Sequence, residues 1–180
     1  MTNTELASEI IAMGEKDQQM RKNGQAGIAP FDKQVDLQNT TRLKEIVSQF
    51  GWPTISQVGE EASYAAWLIV QHADQDIGFQ KHCLVLMQQV SSDVLPSNIA
   101  YLTDRVAVNT GQDQIYGTQF YQDDTGNLVP RPILDRKSLD DRRNQMGLEP
   151  FLVYEHKMKG LFTYPDDYEN PKIGRFYKSP

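Results

Sequence analysis

Apolar positions return at helical spacing over most of the chain. Leu6, Ile10, Ile11 and Met13 recur every three or four residues, and Met20 extends the stripe past a polar stretch. This predicts a helix over 4–23, stopped by Gly24, Gly27 and Pro30. Residues 25–38 show little periodicity and read as a long surface loop. Leu43, Ile46, Val47 and Phe50 share one face of a second helix over 40–50, ended by Gly51. Thr54-Ile55-Ser56-Gln57 is a capping-box pattern opening a short helical turn. From Glu60 to His72, Ala65, Ala66, Leu68, Ile69 and Val70 spread around much of the circumference, so this helix is expected at the centre of the fold. Phe79, Cys83, Leu84, Leu86 and Met87 mark the next helix, 77–90, as its hairpin partner across Asp74-Gln75-Asp76. Pro96 and Ser97 open another through Ile99, Leu102, Val106 and Val108.

The period changes after Gly111. Gln114 to Tyr121 is rich in aromatic and β-branched residues, Asp123-Asp124-Thr125-Gly126-Asn127 is a turn signal, and Leu128-Val129-Pro130 starts a return. The segment predicts a small β-hairpin near 114–132, with Pro130 restricting its second strand to an edge. Helices then open at Ser138 and Pro150, and residues 160–180 read as an irregular tail. The expected fold is mainly α: one domain over 1–180, a bundle of about six helices with a small hairpin.

Composition narrows the partners. The 180 residues carry 18 Lys and Arg against 24 Asp and Glu, a net charge of −6, which argues against a nucleic-acid partner. No apolar run approaches the roughly 18 residues of a membrane span, and there is no leader pattern at Met1–Glu5, so a cytoplasmic protein without a membrane partner is expected. The lone Cys83 supports neither an internal disulfide nor a cysteine zinc site. It is expected as a buried thiol.

Chemistry concentrates at a few places. An apolar helix that ends in Gln71-His72-x-Asp74 offers an imidazole at an interior edge, and a side chain that titrates near neutrality is the natural acid–base candidate. The alternative is a helix-end histidine favoured by the dipole. Asp104 and Arg105 lie on a helix with Ile99, Leu102 and Val106. A charge turned inward there must be paired, and Arg105 either clamps an anion or makes an internal salt link. Tyr116-Gly117-Thr118-Gln119 reads as a strand with Tyr116 and Thr118 on one face, able to offer polar groups to a ligand. Asp17 and Arg21 stand at i and i+4, the spacing of a solvated pair. A metal reading would use His72, Asp74, Asp76 and Asp104, but the spacing matches no standard zinc motif. No cofactor fingerprint is present: there is no phosphate loop, nucleophile elbow or Cys–His pair.

Several separated motifs occur together: Asp17-Gln18 with Arg21, Gly51-Trp52-Pro53, Trp67 to Asp74 with Phe79-Gln80, Ala100 to Arg105, Gln114 to Gln119, and Asp141-Arg142-Arg143 with Gly147-Leu148. In this order they resemble a bacterial family of domains of unknown function, DUF6624, over residues 8–155. The resemblance implies no reaction. It does bring Arg21, Arg105 and Arg143 into motifs beside His72, and three arginines around one histidine would select a small anion. The leading expectation is a small enzyme for hydrolysis or group transfer. His72 would act as acid or base, assisted by Asp104, and Arg21, Gln71, Arg105, Tyr116, Gln119 and Arg143 would hold a small anionic or carbonyl-bearing molecule or peptide. The alternative is a non-catalytic binding module, compatible with a defence or immunity role, in which the same residues form a structural network. The oligomeric state stays open.

Overall fold

A computed structural model describes residues 2–160; the expected irregular tail lies almost wholly outside them. The chain is mainly helical with one small antiparallel hairpin, as its periodicity predicts. Helix α1 (Asn3–Gln25) starts on a capping box: Glu5 N donates to Thr2 Oγ1 at 3.2 Å, and Thr2 N to Glu5 Oε2 at 2.8 Å. Its buried stripe is Leu6, Ile10, Gly14, Asp17 and Met20. Helix α2 (Lys33–Phe50) begins well before the expected residue 40, so the loop is confined to 26–32. Asp32 caps it by accepting from Gln34 N at 2.9 Å, and the first turn buries only Val35, which is why periodicity does not reveal it.

After the short α3 (Ile55–Val58), α4 (Glu60–His72) takes the central place foreseen for it, packing on α1, α2, α3, α5 and α6. Its closest neighbour is α1. A Cβ built on Gly14 would stand 2.8 Å from Ala65 Cβ, so glycine sets the approach of the two helices. Helix α5 (Ile77–Gln89) is capped by Asp76, which accepts from Phe79 N at 2.9 Å, and packs on α6 (Pro96–Asn109), which opens on Pro96. Leu43, Ile46, Trp52, Val70, Met87 and Leu102 lie in one continuous core with Cys83. That thiol is fully buried as expected, and burial pushes its pKa far up.

The hairpin is shorter than predicted. Strands β1 (Phe120–Gln122) and β2 (Leu128–Pro130) pair with Tyr121 opposite Val129, around a turn in which Asp123 Oδ1 accepts from Thr125 N and Asn127 N, each at 2.9 Å. The expected strand from Gln114 is a loop instead; only Gln114 bridges to Ile133. Helices α7 (Leu139–Gln145) and α8 (Phe151–Met158) close the described chain. An aromatic row ties α8 to α6 and α4, with Tyr154–Tyr101 centroids 6.1 Å apart and Tyr101–Trp67 centroids 5.8 Å apart, both edge to face. No helix among the described residues is long and apolar enough to cross a membrane.

The α1–α4 contact makes a prediction. Gly14→Ala gains helix propensity of about 1 kcal/mol but forces two backbones apart, and overpacking of this kind costs about 1–3 kcal/mol. The expected result is a melting temperature lower by a few degrees, partly restored in Gly14→Ala/Ala65→Gly, measured by thermal denaturation.

Candidate functional site

The buried stripe of α1 ends in a carboxylate. Asp17 occupies the position after Gly14 that faces α4, and it is only 1% exposed. The imidazole at the end of α4 meets it: His72 Nδ1 lies 2.9 Å from Asp17 Oδ2 and 3.1 Å from Oδ1. Gln18 Nε2 donates to Oδ2 at 2.8 Å and Arg21 Nε to Oδ1 at 3.1 Å. Arg21 Nη2 donates to Asp36 of α2 at 2.6 Å. Burial drives the Asp17 carboxyl up, but hydrogen bonds from His72, Arg21 and Gln18 outweigh it and hold the pKa below the ordinary value. Burial is also the main influence on Asp36, whose carboxyl is raised despite Arg21.

An ionised carboxylate only accepts, so we assign the imidazole proton facing Asp17 to Nδ1. The Arg21 Nε–H, 2.9 Å from that same nitrogen, is then directed to Asp17 Oδ1. This leaves the lone pair of Nε2 free. Among the described residues neither His72 Nε2 nor Arg21 Nη1 has a hydrogen-bond partner, and neither is among the buried orphan atoms, so both reach solvent. The Asp17–Arg21 pair expected at the surface is therefore the buried support of His72.

A second polar cluster begins two residues further on, at most about 7 Å away along the backbone. Asp74 accepts from Arg105 Nε at 2.9 Å, from Arg105 Nη2, from Asn109 Nδ2 at 2.9 Å and from Gln80 Nε2 at 3.2 Å. Burial raises its pKa, but these donors, Arg105 foremost, bring it below the ordinary value. Gln80, fully buried, also donates to Val70 O at 3.1 Å and so ties the last turn of α4 to α5. Arg105 Nη1 continues to Gln119 Oε1 at 3.0 Å. The internal salt link, one of the two expectations for Arg105, is the one realised.

Asp104 goes elsewhere. It is 0% exposed and accepts from Ile115 N at 2.7 Å, Tyr116 N at 3.0 Å, Thr118 N at 2.9 Å and Thr118 Oγ1 at 3.0 Å. Burial raises its pKa against the pull of these donors. The loop they gather turns at Gly117, φ +70°, where a Cβ would also meet the Phe151 ring at 2.8 Å. Hence 114–119 is no strand, and Tyr116 and Thr118 do not share a strand face. The other side of this loop is held by arginines: Arg142 Nε donates to Ile115 O at 2.9 Å and Arg143 Nη1 to Tyr116 O at 2.5 Å. Arg143, 1% exposed, also donates to Glu149 O at 2.7 Å, and its guanidinium carbon lies 4.9 Å from the Tyr154 ring centre. Burial lowers its pKa. Tyr116 acts here through its backbone.

The predicted residues thus form separate groups. Arg21 joins His72; Arg105 and Gln119 join Asp74; Asp104, Tyr116 and Arg143 fix a loop. Asp17, not Asp104, supports the imidazole, and Arg143 is spent on carbonyls, so the three-arginine anion pocket does not assemble. Gln71 is 8% exposed, and its Oε1 is buried without a partner, as is Nε1 of Trp67 one turn earlier on the α6-facing side. The metal set disperses: Asp74 pairs with Arg105, Asp76 caps α5 and pairs with Lys44, and Asp104 holds the loop. Among the described residues no group of three His, Cys, Asp or Glu is placed to hold a metal ion. A cavity of about 530 Å³, lined by Leu84, Thr103, Val106, Ala107, Ile115 and Leu134, lies on the side of α6 away from Arg105 and includes neither cluster.

The i, i+4 spacing of Asp17 and Arg21 suggests a surface pair, and nothing local in the sequence marks Asp36 or Asn109. The available signal was Asp17's place on the Leu6–Ile10–Gly14 stripe.

Fold and site together define a mainly helical protein in which a buried carboxylate backs a partly exposed histidine. The chain belongs to DUF6624, a family of unknown function, whose model matches residues 4–163. No curated protein and no solved structure matches it.

Two predictions follow from these carboxylates. Asp104→Asn turns an amide group toward backbone donors and leaves buried N–H groups unmatched, so it should cost about 3 kcal/mol and speed amide hydrogen exchange at Ile115, Tyr116 and Thr118. Asp17, with a folded pKa below the unfolded value near 3.9, contributes stability fully present above about pH 4–5 and lost as pH falls through the folded pKa. Asp17→Asn should therefore be about 3 kcal/mol less stable than wild type at pH 7 by urea unfolding. The difference should shrink toward pH 2.

Proposed function

We propose that the protein is a small cytoplasmic enzyme performing hydrolysis or group transfer, with His72 as general acid–base and Asp17 as its positioning residue. The observation that carries this is the asymmetry of the imidazole. Nδ1 faces the buried Asp17 at 2.9 Å, while Nε2 is open to solvent, as is Nη1 of Arg21, whose Nε lies 2.9 Å from the same ring. Asp17 fixes the tautomer and stabilises the imidazolium that forms when Nε2 accepts a proton. Arg21 Nη1, a fixed cationic donor, suits an oxygen on which negative charge develops.

A second reading, a non-catalytic binding module, draws on the same polar residues used structurally, above all the Asp104–Arg143 clamp. A panel of small esters, amides and phosphoesters separates the two. The enzyme reading expects turnover of at least one member, reduced about 10²–10⁴-fold in His72→Gln, a variant that keeps its fold by circular dichroism. Undiminished turnover in that variant, or no turnover together with marked loss of stability, would favour the structural network.

A further inference from the structure

The residues around the dyad also bear on what it takes. Among the described residues Arg21 is the one cation of the cluster, and it already faces two carboxylates, Asp17 and Asp36. An incoming anion would compete with both carboxylates for the guanidinium and meet their negative charge. A carbonyl oxygen asks only for the free Nη1 donor and brings no charge. The neighbouring cation does not change the balance, since Arg105 is matched by Asp74.

The apolar side of the site is Phe31. The residue is 52% exposed, and its ring packs against two neighbours. It rests against Gly24, where a Cβ would come within 2.7 Å of the ring, and covers Arg21, whose guanidinium carbon lies 5.9 Å from the ring centre. The loop behind it is tied down by Ile28 N donating to Asn23 O at 2.9 Å, and Asp32, directly after it, caps α2. An aromatic ring is thus held toward solvent over the residue that links Asp17 and Asp36, with Ile28, 74% exposed, on the same loop. A half-exposed ring packed next to convergent polar groups is an arrangement that orients a ligand's apolar part.

We infer that the substrate is a neutral ester-like carbonyl compound whose acyl group is aromatic or aliphatic and lies against Phe31, an inference that rests on the acid–base reading of His72. Water is the nucleophile. Its oxygen bonds to the carbonyl carbon as Nε2 takes its proton, and Arg21 Nη1 faces the carbonyl oxygen as charge develops there. The bond to the leaving oxygen then breaks, and the proton on Nε2 passes to that oxygen. Carboxylic acid and alcohol result, with no oxidation or reduction.

The test keeps one leaving group and varies the acyl part: methyl phenylacetate, methyl acetate and monomethyl succinate, which carries a carboxylate. The wild-type protein should turn over methyl phenylacetate with kcat/KM about tenfold above methyl acetate, or about 1.4 kcal/mol, and monomethyl succinate least well. Phe31→Ala should abolish the preference by raising KM for methyl phenylacetate, with its melting temperature within a few degrees of wild type. Phe31→Tyr, which keeps the ring, should retain the preference. Equal rates for the three esters, a preference for the succinate, or a preference unchanged in Phe31→Ala overturns the inference. So does His72-dependent turnover confined to amides or phosphoesters, although the acid–base reading then stands. Turnover of every compound independent of His72 removes both.

Discussion

Burying a carboxylate obliges the surrounding chain to supply donors, and Asp104 shows how far that obligation reaches. Its two oxygens collect three backbone N–H groups and one hydroxyl from 115–118. The loop so gathered is fixed further by Gln114, whose amide spans it: Nε2 donates to Gln119 O at 3.0 Å, and Oε1 accepts from Gln119 N at 2.8 Å. Gln119 then holds Arg105, Arg105 holds Asp74, and Asp74 lies just beyond the last turn of α4, which carries His72. One line of hydrogen bonds therefore runs from the 115–119 loop to Asp74, two residues along the backbone from the imidazole. The links at Asp104 and Gln114 are buried, so breaking one strands a polar partner away from water, at a cost well above that of the more exposed Arg105–Asp74 pair.

From the other side the imidazole is held by packing. Gly14 and Ala65 let α1 approach α4 closely, and this brings Asp17, one turn further along α1, within hydrogen-bond distance of a residue 55 positions away. The two supports differ in kind. The α1–α4 contact is steric and sets where Asp17 lies, whereas the Asp104 network is electrostatic and sets how α4 ends. Where they meet, two polar groups are left facing solvent: Nε2 of His72 and Nη1 of Arg21.

The same contrast explains what the sequence could reveal. Helices α1, α4, α5 and α6 were legible because their buried residues repeat at 3.6, and local caps such as Thr2 and Asp76 agree with that pattern. The start of α2 was hidden because its first turn offers Val35 alone to the core. Residues 114–119 have a strand's composition, but donors reaching Asp104, 11 to 14 residues back, override local propensity. His72 was legible as an oddity at the end of an apolar helix. Its partner was not, because Asp17 and Arg21 at i and i+4 satisfy a surface rule that needs no tertiary contact. Only the third dimension shows that Asp17 faces inward.

The arginines complete the argument about charge. Their place in motifs suggested an anion pocket, yet Arg105 pairs with Asp74, Arg21 bridges Asp17 and Asp36, and Arg143 answers two carbonyls and two aromatic rings. A guanidinium offers five donors in a planar fork, more than any carboxylate needs, and is less costly to dehydrate than an ammonium. In this chain that surplus is used inward, to satisfy carbonyls and carboxylates that helices and loops leave unmatched. Arginine at such positions is therefore a consequence of burying acidic groups in a helical core. What distinguishes Arg21 is that its guanidinium touches the imidazole, Nε lying 2.9 Å from His72 Nδ1, while its Nη1 keeps no partner among the described residues.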